Sequence, residues 1–341
     1  MGQGATMSSR AFPSAVLVFA VFACIPPSDV AAYCRMTTET QAQVGDAPCV
    51  ETGAPFFWKH PCLSYAIDER GSRWMTNEEI EEAVDLSFET WENVDCGGSP
   101  PNLVFTPSGP STCRRPEFNN NGNVNTIAFL DPWGNPCADR NDIDYRYEPF
   151  ALAVTIVWRN GSSGEMFDAD IMVNDQLSSS VNAGGPYANC PDTGCPPGSA
   201  GSPGPSDLRS IVTHEIGHFI GIGHSNIEDA TMYAKTEQSS VSNRTLAQDD
   251  INAVCDIYPP GSLDQFCDAT PLGGLGLNCE TDEFGEPVAC DEPGSVPGNG
   301  GGCSGGGCSA GDAPADVPWA TVLLVLIGLA AMRRRPRRRH A

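Results

Sequence analysis

One short stretch of the sequence holds most of the residues that could do chemistry: His214, His218 and His224, with Glu215 beside the first. Residues four apart lie on one face of an α-helix, so His214 and His218 can bind the same ion. Gly221 tolerates a positive φ, so the helix can end there and the chain can turn back to bring in His224. Three protein ligands leave the fourth position of zinc open for water, as in catalytic zinc sites. Glu215 is placed to act as general base on that water.

The wider spacing H-E-x-x-H-x-x-G-x-x-H, followed by Met232, is the metzincin signature. Within that group the chain most resembles the matrixins, through Ser225 after the third histidine, the pair Met232-Tyr233, and residues 246–251 with Tyr258. The resemblance is specific over residues 206–258 and looser over residues 58–175. It implies one catalytic zinc, a protein or peptide substrate, and an endopeptidase. It also implies that Met232 is an apolar floor beneath the ligands. The plainer alternative is a surface helix with unrelated histidines.

The order of predicted elements indicates an α/β (α+β) fold. Strands are predicted over residues 63–68, 103–106, 126–130, 151–158 and 167–174, from alternating or continuous apolar residues. A long helix over residues 76–94 begins with a capping box, Thr76 and Glu79. Ser206 is the predicted N-cap of the histidine helix, and a last helix covers residues 246–257. By resemblance, the sheet is twisted and mostly parallel with one antiparallel edge strand. A long helix backs it, and a small C-terminal helical subdomain follows the active-site helix.

A second metal site is less clear. Asp168 and Asp170 stand where matrixins carry calcium and structural-zinc ligands, but Met166 and Ile171 replace the His and Glu of that run. The sequence therefore argues against a structural zinc site. Asp168 and Asp170 remain candidate ligands for calcium. An acidic loop that merely faces water is the favoured interpretation.

Composition limits the partners and the compartment. The formal net charge of -24 disfavours nucleic acid and anionic membrane surfaces, although acidity also serves solubility. The 15 cysteines indicate an oxidising compartment. Twelve of them lie in the body and allow up to six disulfides, among them Cys190 with Cys195. The matrixin Pro-Arg-Cys-Gly latency motif is missing, which leaves Cys34 and Cys49 as nominal substitutes. We expect a monomer.

The ends of the chain indicate export. Residues 1–32 resemble a signal peptide, with lipoprotein cleavage before Cys24 as the alternative. After them we expect an N-terminal extension (33–57), the peptidase domain (58–260), a cysteine-containing appendage or stalk (261–292) and a Gly-rich linker (293–317). Residues 318–341 are predicted to form a short hydrophobic helix and an Arg-rich tail, similar to MYXO-CTERM sorting tails. About fourteen helical residues span roughly 21 Å, short of the bilayer core, so membrane contact should be transient and precede processing at the cell surface.

Two rival functions remain at this point. A surface adhesin with a vestigial metal site needs no general base, so the intact Glu215 disfavours it. An accessory peptidase domain attached to a functional cysteine-rich segment is the other alternative.

Overall fold

The computed structural model describes Met1 and residues 33–39, 49, 52–118, 122–134, 147, 150–176, 187–196, 204–236, 239–262, 267–279 and 318–327. For the last of these ranges and for Thr236, only the backbone is described. The predicted signal peptide, the Gly-rich linker and the Arg-rich end lie outside these residues, as does most of the segment between positions 177 and 203.

In the described part of the chain, three α-helices form where the sequence provides start signals and an apolar face. Helix α1 (Asn77–Glu92) begins at the predicted capping box, in which Thr76 and Glu79 satisfy each other's backbone N–H groups. Helix α2 (Leu208–Phe219) carries the histidines, and helix α3 (Gln248–Ile257) follows a single 3-10 turn, Ser242–Arg244. The predicted N-cap of α2 was wrong by one residue. Asp207 rather than Ser206 caps it, because its carboxylate accepts the N–H of Ser210 at 2.9 Å.

The strands form one large mixed sheet and one small pair. Their bounds are β1 (Cys62–Asp68), β2 (Val104–Ser111), β3 (Thr126–Leu130), β4 (Ala151–Asn160), β5 (Met166–Asn174), β6 (Tyr187–Ala188), β7 (Ser206–Asp207), β8 (Lys235–Thr236) and β9 (Pro318–Ile327). The large sheet has the order β2-β1-β3-β5-β4-β9-β8, and β6 pairs with β7. Strands β2, β1, β3 and β5 are parallel and β4 is antiparallel to β5, so the predicted fold class is confirmed.

The far side of β4 differs from the prediction. Strand β9 pairs antiparallel with β4, so that Thr155 lies opposite Leu323, and pairs parallel with β8. The helix predicted over this segment is therefore wrong for Pro318–Ile327. An apolar run of ten residues rich in Val, Leu and Ile suits a strand, and the open edge of β4 supplies its backbone hydrogen bonds. Within the described residues, no helix is long and apolar enough to cross a membrane.

Both α1 and α2 pack on one face of the sheet and bury the main core. The predicted apolar face of α1 is buried, with Phe88 and Trp91 facing α2. Phe88 stacks on Tyr65 of β1 and meets Phe219 of α2 edge to face. The indole N–H of Trp91 donates to the carbonyl of Thr213 at 2.8 Å. These contacts fix the position of the histidine helix relative to the sheet.

Five disulfides join cysteines of the described chain: Cys34–Cys49, Cys62–Cys267, Cys96–Cys255, Cys113–Cys279 and Cys190–Cys195. Two of them fasten residues 267–279 to β1 and to the loop after β2. That part of the appendage is therefore a strap on the large sheet rather than a stalk. The disulfide between Cys34 and Cys49 means that neither can offer the free thiolate considered for latency.

Candidate metal centre

The three histidines of the motif converge on one point. His214 and His218 lie on α2, and His224 returns after the helix ends. The Nε2 atoms of His214 and His218 are 3.2 Å apart, and those of His218 and His224 are also 3.2 Å apart. A tetrahedral ion about 2.0–2.1 Å from each nitrogen separates two such nitrogens by roughly 3.3 Å. Both distances match this spacing, and the three histidines are a candidate metal cluster of the described residues.

Hydrogen bonds from the outer ring nitrogens fix the orientation of two rings. His214 Nδ1 lies 2.6 Å from the carbonyl oxygen of Thr231, and His218 Nδ1 lies 2.8 Å from that of Ile222. A carbonyl oxygen can only accept, so each Nδ1 carries the hydrogen and donates it. Each Nε2 then presents a lone pair toward the centre, which is the tautomer a metal needs.

Burial keeps the triad uncharged. It lowers the pKa of His214 to about 4, despite the bond to Thr231. Burial, followed by repulsion from His214, lowers the pKa of His224 to about 3. Burial, followed by repulsion from His224 and His214, lowers the pKa of His218 well below its usual value. The three rings are therefore neutral near pH 7 and available to a cation.

The turn that returns His224 to the centre depends on Gly221 and on the N-terminal segment. Gly221 has the predicted positive φ, +94°. A Cβ there would lie 3.0 Å from the carbonyl oxygen of Phe56. Residues 34–36 run alongside, with Gly223 N–H donating to Cys34 O at 2.7 Å and Met36 N–H donating to Gly221 O at 3.0 Å. The predicted N-terminal extension therefore supports the third histidine.

Met232 lies fully buried next to α2. Its turn is held by Asp250 of α3, a residue that the sequence analysis did not single out. The carboxylate of Asp250 accepts the backbone N–H groups of Thr231 and Met232 at 2.7 and 3.0 Å. The carbonyl oxygen of Thr231 also accepts a hydrogen bond from His214 Nδ1. Asp250 therefore orients the His214 ring through Thr231.

Gly217 is a second feature that spacing alone did not reveal. In the motif it is one of the unspecified positions between the two helical histidines. A Cβ at this position would collide with the sulfur of Met232 and lie 3.0 Å from the Trp91 ring. The absence of a side chain at Gly217 therefore lets the Met232 turn approach α2 closely.

Glu215 is fully buried and points at strand β4. Its Oε2 accepts a hydrogen bond from the Thr155 hydroxyl at 2.5 Å. Its Oε1 has no hydrogen-bond partner among the described residues. Burial raises the pKa of Glu215 to about 8, although the bond from Thr155 opposes the shift. A divalent cation bound by the adjacent triad would lower that pKa by Coulomb attraction.

The structure does not bring Asp168 and Asp170 to this centre. Both lie on β5 and are buried, so the interpretation of an acidic loop that faces water was wrong. Asp170 accepts the N–H groups of Thr126 and Glu117 at 2.7 and 2.9 Å, and Asp168 accepts from Asn123 at 3.0 Å. Burial first, and then mutual interaction, raises the pKa of Asp168 well above its usual value, and burial also raises that of Asp170. These contacts come from Glu117, Asn123 and Thr126, which are far from β5 in the sequence. Sequence reasoning therefore did not predict this environment.

Together, the mixed sheet, the buried helix and the three neutral imidazoles define a protein with a candidate metal centre. Residues 57–259, more than half of the chain, match the family described as Matrixin. The chain therefore belongs to the matrixin family.

Similar proteins include metalloendoproteinases of plants and a bacterial protein, karilysin. Karilysin of Tannerella forsythia is 34% identical over 115 residues, which cover 33% of this chain and 24% of that protein. Metalloendoproteinase 5-MMP of Arabidopsis thaliana is 42% identical over 52 residues, 15% of this chain and 14% of that protein. Metalloendoproteinase 1 of Glycine max is 45% identical over 56 residues, 15% of this chain and 17% of that protein. The matches thus span a small part of each relative.

The close approach at Gly217 leads to a prediction. Gly217→Ala should lower stability by about 1–3 kcal/mol through overpacking, and should weaken zinc binding because the Met232 turn also orients His214. Denaturant unfolding and a zinc titration with a competing chelator measure the two effects. The double variant Gly217→Ala/Met232→Ala should be less destabilised than the sum of the single variants, because the smaller residue removes the collision. Strict additivity would contradict the proposed contact.

Proposed function

We propose that the chain is a zinc-dependent endopeptidase that hydrolyses peptide bonds at the His214, His218 and His224 centre. The observation that carries the proposal is the convergence of three neutral imidazoles, with the Nε2 of His218 at the spacing of a tetrahedral ion from those of His214 and His224, on a chain of the matrixin family. Three protein ligands leave one position for water, and none of the three is a cysteine of a closed structural site.

The residues divide the chemistry between them. Zinc held by the triad would acidify water and polarise the carbonyl of the scissile bond. Glu215 is the general base, and its unpartnered Oε1 is the oxygen that takes the proton from water. The same oxygen returns the proton to the departing amine. The Met232 side chain provides an apolar surface beneath the three histidines and does not coordinate the metal.

The edge of β4 is the proposed binding surface for an extended peptide. In the structure this edge already accepts an extended segment, because β9 pairs antiparallel with it from Ala151 to Asn160. Strand β8, three residues after Met232, lies on the other side of β9. A groove bounded by β4 and β8 therefore suits a peptide that satisfies its backbone by β-augmentation.

A vestigial binding protein remains the alternative function, and Glu215 separates the two. Glu215→Gln should keep the zinc content but lower kcat for peptide hydrolysis by about 100-fold or more, because the amide cannot accept the proton. Metal analysis and hydrolysis of casein or a quenched peptide measure both properties. Glu81→Gln, at an exposed position of α1, is the matched control. Full activity of Glu215→Gln would remove the role proposed for this carboxylate. Wild-type protein that contains zinc but hydrolyses nothing would favour the adhesin.

Strand β9 should compete with substrate for the groove. A chain that ends at residue 317 leaves the edge of β4 open, so its kcat/KM for a peptide should exceed that of the full chain by about tenfold. A chain that ends at residue 327 keeps β9 and loses only the Arg-rich end, so its activity should match the full chain. Equal activity of all three chains would show that β9 does not occlude the groove.

We further infer export to the cell surface, with removal of the sorting-type tail. The five disulfides fit an extracellular protein, and removal of the tail would also free the β4 edge. Mass spectrometry of the mature protein from the producing cell tests both ends: a first residue at Tyr33 and a last residue near Cys308.

Calcium is the proposed counter-ion of Asp168 and Asp170. Two carboxyl groups buried together must be neutralised either by a shared proton or by a cation. If calcium binds, saturating calcium at about 100 times its Kd should stabilise the protein by about 2.7 kcal/mol, seen as a higher Tm. Asp168→Asn should abolish this shift, whereas Glu81→Gln should keep it. A wild-type Tm that is independent of calcium would favour the shared proton.

A further inference from the structure

The contact between Thr155 and Glu215 joins the strand proposed to bind substrate to the proposed general base. Thr155 is fully buried near the middle of β4, 60 residues before Glu215 in the chain. Its hydroxyl lies 2.5 Å from Glu215 Oε2 and 3.2 Å from the backbone carbonyl of the same residue. Both possible acceptors of this hydroxyl therefore belong to Glu215.

This contact makes the two carboxylate oxygens of Glu215 unequal. A threonine hydroxyl has one hydrogen, and donating it to Oε2 satisfies that oxygen as an acceptor, so protonation there would weaken this bond whereas protonation of Oε1 would not. Oε1 has no hydrogen-bond partner among the described residues. A proton that reaches Glu215 is thus directed to Oε1, and the bond from Thr155 persists while that proton is carried.

The position of Thr155 also relates the base to the peptide. On the outer side of β4, Thr155 is opposite Leu323 of β9, and on the inner side it is opposite Ile171 of β5. The backbone that pairs with an extended segment and the hydroxyl that holds the carboxylate therefore belong to one residue. A shift of β4 relative to α2 would therefore change both the position of a peptide paired with β4 and the direction of the Glu215 carboxylate.

We propose that Thr155 is a positioning residue for Glu215: its hydroxyl holds Oε2, leaves Oε1 as the proton-carrying oxygen, and sets the carboxylate against the strand that receives the peptide. This role rests on the proposed peptidase function. In this role the Thr155 side chain does not contact substrate. Because it orients the Glu215 carboxylate, loss of the hydroxyl should impair the chemical step rather than peptide binding.

The test compares Thr155→Val with Thr155→Ser. Val keeps the branched shape and strand propensity but lacks the hydroxyl, and Ser keeps the hydroxyl. Thr155→Val should lower kcat by about 10- to 100-fold with KM near the wild-type value, since small misplacements of a catalytic group have effects of this size. Thr155→Ser should retain most of kcat. Thr126→Val, a change at another buried strand threonine, should leave kcat unchanged.

A double variant separates positioning from general damage. In a Glu215→Gln background, Thr155→Val should cause no further loss of the residual rate, because there is no base left to orient. Wild-type kcat in Thr155→Val, or an additive loss in the double variant, would overturn the proposal. If the Val variant does not fold, Thr155→Ala against Thr155→Ser supplies the same comparison. Absence of hydrolysis in both the wild type and Thr126→Val would instead count against the peptidase function itself.

Discussion

Three imidazole rings kept neutral in a buried site, with their Nε2 atoms brought close together, are the constraint on which the rest of this structure depends. Buried polar groups need hydrogen-bond partners, and here the outer nitrogens of His214 and His218 find them in backbone carbonyls. Those carbonyls belong to Thr231 and Ile222, in turns that follow α2. The residues after the helix therefore orient the rings that the helix presents.

The elements that orient these rings are in turn held by more distant parts of the domain. The Thr231 turn is held by the carboxylate of Asp250 on α3, and α3 is fastened to the segment after α1 by the disulfide Cys96–Cys255. Helix α1 in turn fixes α2 through Trp91. A chain with a formal net charge of -24 repels itself, so covalent links between distant elements offset part of the cost of holding it compact.

The other side of the site is governed by the edge of β4. An unpaired strand edge invites pairing with another segment, which is useful for a peptidase and a hazard elsewhere. In this chain the segment Pro318–Ile327 pairs with that edge. Thr155 lies in the middle of the same strand, so the edge that receives an extended chain and the carboxylate that would act on it are linked by a single hydroxyl.

Much of the architecture could be predicted from local signals. The capping box before α1, the apolar strands and the four-residue spacing of His214 and His218 depend on neighbours within a few positions. Helix and strand geometry convert such spacing directly into shared faces. The ability of Gly221 to turn the chain was predicted for the same reason, since only the residue's own φ is involved.

Tertiary structure decided whatever depends on distant partners. Ser206 and Asp207 are equally good caps by type, and Asp207 also binds the Arg244 guanidinium, 37 residues away. The apolar run near position 320 fits a helix or a strand by composition, and the edge of β4 selected the strand. The contact of Thr155 with Glu215, the hold of Asp250 on the Met232 turn and the burial of Asp168 have no local signature. Each depends on how separate elements pack, and a hydrogen bond between residues far apart in the chain leaves no periodicity in the sequence.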